Sequence, residues 1–416
     1  VEQLSRALAQ IATLPATPAL RREQITLQVA LITPLCHVKG YAAPESKAAV
    51  ERARLLIEEA EALGEPPEDP LLLFSVLYGF WVANYVVFNG DVCRDLAAQF
   101  LSVAEKQMAT VPLIMGHRVM GASLLHTGDL AEGRAHYAQA LALYDPAEQR
   151  PLVARFGGVD IRVAILANRS IGLWPLGYPE AALADAEQAL QYAREVSQAP
   201  SLMFALLYTS ITYSFCANYS VSKALADELV ALGDETGATF WKAAGIAFQG
   251  SVLSLTGQAA DAVDTITSGI TAWRSMGGTV FSPWWLSCLA RAYADLTRYD
   301  DAWRYIGEAM TLAETTKERW CEAEVYRMAG EIAMLSSELD TAKAEAHFER
   351  ALAVARQQQA KSWELRAATS MARLWRDQGK RQQARELLAP VYGWFTEGFD
   401  TRDLKEAKAL LEELAS

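Results

Sequence analysis

A small residue followed four positions later by an apolar one returns about every 40 residues, and this spacing constrains the fold more than any other feature. It is clearest in HTGDLAEGRAHYAQAL (126–141), LGYPEAALADAEQAL (176–190), LTRYDDAWRYIGEAM (296–310) and DTAKAEAHFERAL (340–352). The small residues are Gly133, Ala182, Ala302 and Ala344, and the series extends to Ala262 and Ala384. Their separations are 49, 80, 40, 42 and 40 residues, so the long one hides a degenerate copy near Ser220. A fixed period of this length marks an array in which each unit buries its apolar face only by stacking on the next.

Each unit reads as two antiparallel helices, an inner A and an outer B, with turn signals between them at Gly40, Asn89–Gly90, Gly128–Asp129, Gly177–Tyr178, Gly257 and Gly379. The pairing of Ala290 with Ala302, Gly121 with Gly133 and Gly250 with Ala262 places small residues where two helix axes cross closely. The expected fold is all-α: a right-handed superhelical solenoid of about nine helix hairpins of tetratricopeptide type, in one domain spanning 1–416. Within it, 1–14 reads as the remnant of a preceding repeat. The stretch 145–159, carrying DPAEQRPLVARFGGV, reads as an inter-repeat insertion, and 401–416 as an amphipathic capping helix. The opening on Val1 suggests a piece of a longer polypeptide.

Composition narrows the chemistry. A net charge of −12 argues against a nucleic-acid backbone as the main partner, because phosphate binding needs a basic face. No apolar run is long enough to span a bilayer, so no membrane partner is expected. The five cysteines lie far apart without a CxxC pair, which fits free buried thiols in a reducing, cytoplasmic setting. No phosphate-binding GxxxxGK[ST] loop, GxSxG elbow or metal-spaced histidine cluster is present, so neither catalysis nor a cofactor is expected of this chain.

Three segments resemble a known family: HTGDLAEGRAHYAQALALYDP (126–146), ERWCEAEVYRMAGE (318–331) and the long stretch 360–411 beginning AKSWELRAATSMARLWRDQGK. They are similar to the helical-repeat region that follows class III adenylate/guanylate cyclase and AAA-type ATPase modules in large bacterial signalling proteins. The resemblance covers essentially the whole chain and is strongest at its end. It implies a tetratricopeptide-like superhelix akin to the sensor region of maltose-activator-type regulators. Such a region would bind a protein segment or small inducer and control upstream catalytic modules of the same polypeptide.

Sorting A-helix positions by register gives a candidate concave groove. Phe80, Asn84 and Arg118 face it from the early repeats, Trp284 and Arg291 from the helix of Ala290, Glu324 and Arg327 from the next, and Arg366 and Arg373 from the last. Four arginines on one wall would suit an anionic or acidic ligand, since guanidinium groups grip carboxylates and phosphates bidentately. The plainer account pairs Glu324, Arg327 and Glu331 along one helix. Eleven tryptophans, most on A helices, serve either as fillers between layers or as a stacking platform. On the binding reading, truncating Arg327 and Arg366 abolishes partner binding and leaves stability nearly unchanged. The alternative is a self-association scaffold with no dedicated ligand site.

Overall fold

The structure, a computed structural model, describes residues 1–415 apart from 16, 66, 150–154 and 336–339. Helix α1 (Glu2–Ile11) opens the chain and packs on the next helix with none of its residues buried. Nine hairpins follow among the described residues. They are α2 (Pro18–Lys39) with α3 (Pro44–Ala62), α4 (Leu71–Val86) with α5 (Gly90–Gln107), and α6 (Thr110–Thr127) with α7 (Leu130–Ala142). After the short α8 (Pro146–Gln149) come α9 (Ile161–Leu173) with α10 (Pro179–Val196), α11 (Ala199–Phe215) with α12 (Tyr219–Thr236), and α13 (Thr239–Leu255) with α14 (Ala259–Ser275). The last three are α15 (Ser282–Asp295) with α16 (Tyr299–Thr316), α17 (Glu322–Leu335) with α18 (Thr341–Gln357), and α19 (Lys361–Asp377) with α20 (Arg381–Tyr392). Helix α21 (Arg402–Ala415) caps the end through Leu404, Ala407, Leu410 and Leu414. The hairpin helices pack on their neighbours in sequence, and each inner helix packs also on the next inner helix, which is the contact pattern of a superhelical solenoid.

The two helices of a hairpin differ because their surroundings differ. Helix α16 buries one stripe, Ala302, Ile306, Ala309 and Ala313, as an outer helix should. Its partner α15 is buried around most of its circumference, because it lies between the outer helices and the superhelix axis. Gly133, Ala182, Ala262, Ala302, Ala344 and Ala384 are all buried at crossings. A Cβ on Gly133 would stand 3.0 Å from the Gly121 carbonyl oxygen, so an alanine there would need the two helices to move apart slightly. The degenerate copy is Ser222, midway between Ala182 and Ala262. Its hydroxyl donates to the Ser210 carbonyl at 2.8 Å while the Ser210 hydroxyl donates to the Ser222 carbonyl at 2.9 Å. Two reciprocal hydrogen bonds there do the work of a small apolar contact.

Successive turns of the superhelix touch. The backbone N–H groups of Thr279 and Val280 donate to the Val86 carbonyl at 2.9 and 3.1 Å, and the Arg319 N–H to the His126 carbonyl at 2.7 Å. The Ser362 N–H reaches the Pro175 carbonyl at 2.9 Å. The matching side-chain bonds, Thr279 to Val87 and Ser362 to Trp174, join residues 192 and 188 apart in sequence. Loops that would otherwise be solvated thus satisfy the free carbonyls at the ends of inner helices one turn away. Between them lies a continuous aromatic column: Phe281 packs on Tyr208, His126 and Trp320, and Phe215 on Trp320, Trp284, Trp363 and Trp174. Eight of the eleven tryptophans are buried, and four of them fill this column. The described end of the insertion joins the interior as well, with Phe156 fully buried and edge-on to Tyr78, and Arg155 ion-paired with Asp69. No described helix is long and apolar enough to cross a membrane.

Glu318 is buried beside this column. Its Oε1 accepts from the Phe281 N–H at 2.8 Å and the Trp320 indole N–H at 2.9 Å, while Oε2 has no partner. Burial pushes its carboxyl up to about 8, partly offset by those two donors. In the unfolded chain the group ionises near its ordinary value of 4.5, so the folded state holds the extra proton between there and about 8. Stability from this group is complete at the acid end of that window and lost as pH rises through it. Glu318→Gln is therefore expected to raise Tm over the native chain at pH 8, with the difference shrinking towards pH 5. Thermal melts across that range check it, and a pH-independent offset would contradict it.

Candidate binding site

Inner helices α15, α17 and α19 end side by side, and the cap α21 closes over them. Together they frame a cleft of about 430 Å³. Arg291, Glu324, Arg327, Arg366 and Arg373 all line it, joined by Tyr219, Asp295, Glu331, Ser370, Arg402, Asp403 and Glu406. Of the residues that register places in the groove, these five come together in one place.

The others do not. Trp284 is 1% exposed and sits in the aromatic column beneath the cleft, against Phe215 and Trp320. The groove assignment fails for it because the turns close on one another and leave the middle of the axis filled. Phe80 and Asn84 are half-buried on α4, where the Asn84 amide donates to the Phe80 carbonyl at 2.9 Å. Arg118 is buried in a separate aromatic cavity. One groove from Phe80 to Arg373 is thus not what the chain forms.

Electrostatics in the cleft are tightly paired. Arg327 donates from Nε and Nη2 to the two oxygens of Glu324, each at 2.7 Å, and from Nη1 to Glu331 at 3.1 Å. Arg366 donates to Asp403 at 2.8 Å and to the Phe215 carbonyl at 2.9 Å, with its guanidinium over the Trp174 ring at 4.6 Å. It also lies 3.5 Å from Glu324. Burial alone would push the Glu324 carboxyl up, but Arg327 and Arg366 together hold it below its ordinary range. Arg373 and Arg402 converge on Glu406 at 2.7 and 2.5 Å, and Arg291 bonds Asp295 at 2.8 Å. Both accounts of the arginines therefore apply. Arg327 is satisfied within its own helix, and the whole set still surrounds one cleft.

Sequence reasoning missed the contribution of the cap, whose polar face reads as solvated. The signal was there: Asp403 and Glu406, three apart on α21, match Arg366 and Arg373, two turns apart on α19. No group of three or more His, Cys, Asp or Glu among the described residues could hold an ion, and His117 and His136 bond each other through Nδ1 at 2.9 Å.

No protein-family model matches the sequence, and no curated protein matches it. Solved structures do. One is a Rap protein complexed with competence and sporulation factor, with TM-score 0.60 at 12% identity over 94% of this chain and 99% of that one. A second is the Rap conjugation gene regulator of plasmid pLS20 with the Phr* peptide, with TM-score 0.52 at 10% identity over 94% and 96%. A third is the apo quorum sensor NprR from B. thuringiensis, with TM-score 0.50 at 11% identity over 89% and 98%. The fold is that of the tetratricopeptide-repeat proteins. At such identities the likeness concerns architecture alone.

Because Glu324 is 1% exposed and held by two arginines, removing one leaves a buried charge short of its partner. Arg327→Ala is expected to lower stability by about 3–5 kcal/mol in urea denaturation, the cost of breaking a buried pair from one side. The buried pairing thus gives a different expected outcome from a truncation that spares the fold. A change below about 1 kcal/mol, as for an exposed pair, would contradict the assignment.

Proposed function

We propose that this chain is a non-catalytic regulatory module that binds a peptide segment in the cleft between α15, α17, α19 and α21. The observation that carries the reading is the cleft itself, in which five arginines and five carboxylates face one another across about 430 Å³. A surface with both signs in alternation suits a peptide, which brings its own charges and backbone dipoles, better than a polyanion, which the carboxylates would repel. Support also comes from the architecture. Two of the solved structures that match nearly this whole chain are Rap proteins with a competence and sporulation factor or a Phr* peptide bound.

The arginines divide by role. Arg327 and Arg366 are half-enclosed and committed to Glu324 and Asp403, so they shape the floor. Arg291 and Arg373 are 35% and 43% exposed with one carboxylate each, which leaves donors turned to the opening. A peptide carboxylate can engage these without uncovering a buried charge. The resemblance of 126–146, 318–331 and 360–411 to the regions behind cyclase and AAA-type ATPase modules extends the reading. Peptide occupancy would then be passed on to catalytic modules in a larger signalling protein.

The test is a library of fluorescent pentapeptides screened by polarisation against the native chain. A selected peptide is expected to bind at least about tenfold more weakly to Arg373→Ala or Arg291→Ala, the loss of one charge-assisted contact, while Tm stays within a degree or so. A library without binders, or binders indifferent to both substitutions, would overturn the proposal.

A further inference from the structure

At the other end of the aromatic column, Arg118 on α6 is 4% exposed, the only arginine or lysine so deeply buried among the described residues. Arg327 and Arg366 each hold two or more oxygens. Arg118 reaches no carboxylate within 4 Å among the described residues. Its neighbours are the Tyr78 hydroxyl at 3.5 Å, the Met115 sulfur at 3.8 Å and the face of the Tyr78 ring at 5.5 Å. Among the described residues, a guanidinium with five N–H donors is thus buried with one marginal oxygen acceptor, a costly arrangement unless something else completes it.

The space beside Arg118 has the shape of that missing partner. A cavity of about 60 Å³ opens next to the guanidinium, walled by Tyr208, Trp241, Trp273 and Phe281 and bordered by Gly157 from the insertion. The half-buried Phe204 stands on its rim. The wall is apolar apart from Arg118, the tyrosine hydroxyls and two indoles. The indole N–H groups of Trp241 and Trp273, both buried, have no hydrogen-bond partner among the described residues. Gly157 carries φ +80°, and a Cβ there would come within 2.8 Å of the Tyr78 hydroxyl, so the insertion presses close beside Tyr78 and Arg118. By the measure that one water needs roughly 10–15 Å³ of such space, the cavity holds on the order of four to six heavy atoms.

We infer that this cavity binds a small carboxylic acid with a compact apolar body, its carboxylate on Arg118 and its body among the aromatic rings. The carboxylate supplies the acceptors that the guanidinium lacks, in the fork geometry that makes arginine selective for planar anions. Burial of the apolar body among aromatic walls adds affinity and excludes hydrated inorganic anions. Two sources carry this chemistry: a free short branched acid, or the C-terminal residue of a peptide. The inference does not depend on the charged cleft, which lies beyond the aromatic column and shares none of these residues.

The experiment titrates the native chain with isobutyrate, isobutyramide and N-acetyl-alanine, following tryptophan fluorescence and Tm. Trp241 and Trp273 line the cavity and report directly. Isobutyrate or N-acetyl-alanine, whose acetamide stays outside the cavity, is expected to perturb the fluorescence saturably and raise Tm, with the amide at least about tenfold weaker, the loss expected when a charge-assisted fork is replaced by a neutral contact. Preference for isobutyrate assigns a free acid, and preference for N-acetyl-alanine assigns a peptide terminus. Arg118→Met is expected to abolish the preference for acid over amide without lowering the Tm of the unliganded chain, because it removes a charge that has no partner. Equal response to acid and amide, no response to either acid, or a large loss of Tm in Arg118→Met with acid binding retained would each overturn the inference.

Discussion

The structure depends on the way one superhelical turn seats on the next. A solenoid built only from neighbouring hairpins leaves the ends of its inner helices facing an open channel. Here the carbonyls of Val86, His126 and Pro175 are taken by backbone N–H groups from loops nearly a full turn later in the chain. Once those loops dock, the axis cannot hold water, and it is filled by the largest side chains available: Trp174, Phe215, Phe281, Trp284, Trp320 and Trp363. Buried aromatic pairs in tilted and edge-on geometry add to the area they remove from water, so docking and filling support each other.

This closure explains where binding chemistry survives. A packed axis leaves space at the ends of the column. At one end the last inner helices and the cap diverge, and charge lines the gap. At the other the insertion and the loop of Val280 and Phe281 border an aromatic cavity with a lone guanidinium. The two sites differ in kind. The first is wide, charged and internally neutralised. The second is small and apolar, with one unmet charge.

Much of the fold was legible because its signal is local. Small residues at a constant spacing, glycines at turns and one-sided apolar stripes locate the hairpins closely: register places outer helices near 299–315 and 341–358, and they run Tyr299–Thr316 and Thr341–Gln357. Turns without glycine were harder to see, since Ala217 and Thr297 take the left-handed conformation that Gly257 takes elsewhere. The pitch of the superhelix was not legible. It accumulates from small rotations at each crossing, and no residue pattern announces that Ser362 will meet Trp174. Everything that follows from the pitch was hidden with it, including the burial of Trp284 and the isolation of Arg118 from the other arginines. The clustering of Arg291, Arg327, Arg366 and Arg373 survived because it needs only the register of three successive inner helices.

Amide hydrogen exchange at Thr279, Arg319 and Ser362 tests the closure most directly. These N–H groups sit in the loops between hairpins or, for Ser362, in the first turn of α19, and their hydrogen bonds go to carbonyls of the preceding turn. If the turns are seated, the three amides exchange as slowly as those in the middle of α13 and α15, at rates set by global unfolding. Exchange at the rate of an exposed loop would mean that the turns stand apart and that the axis is open.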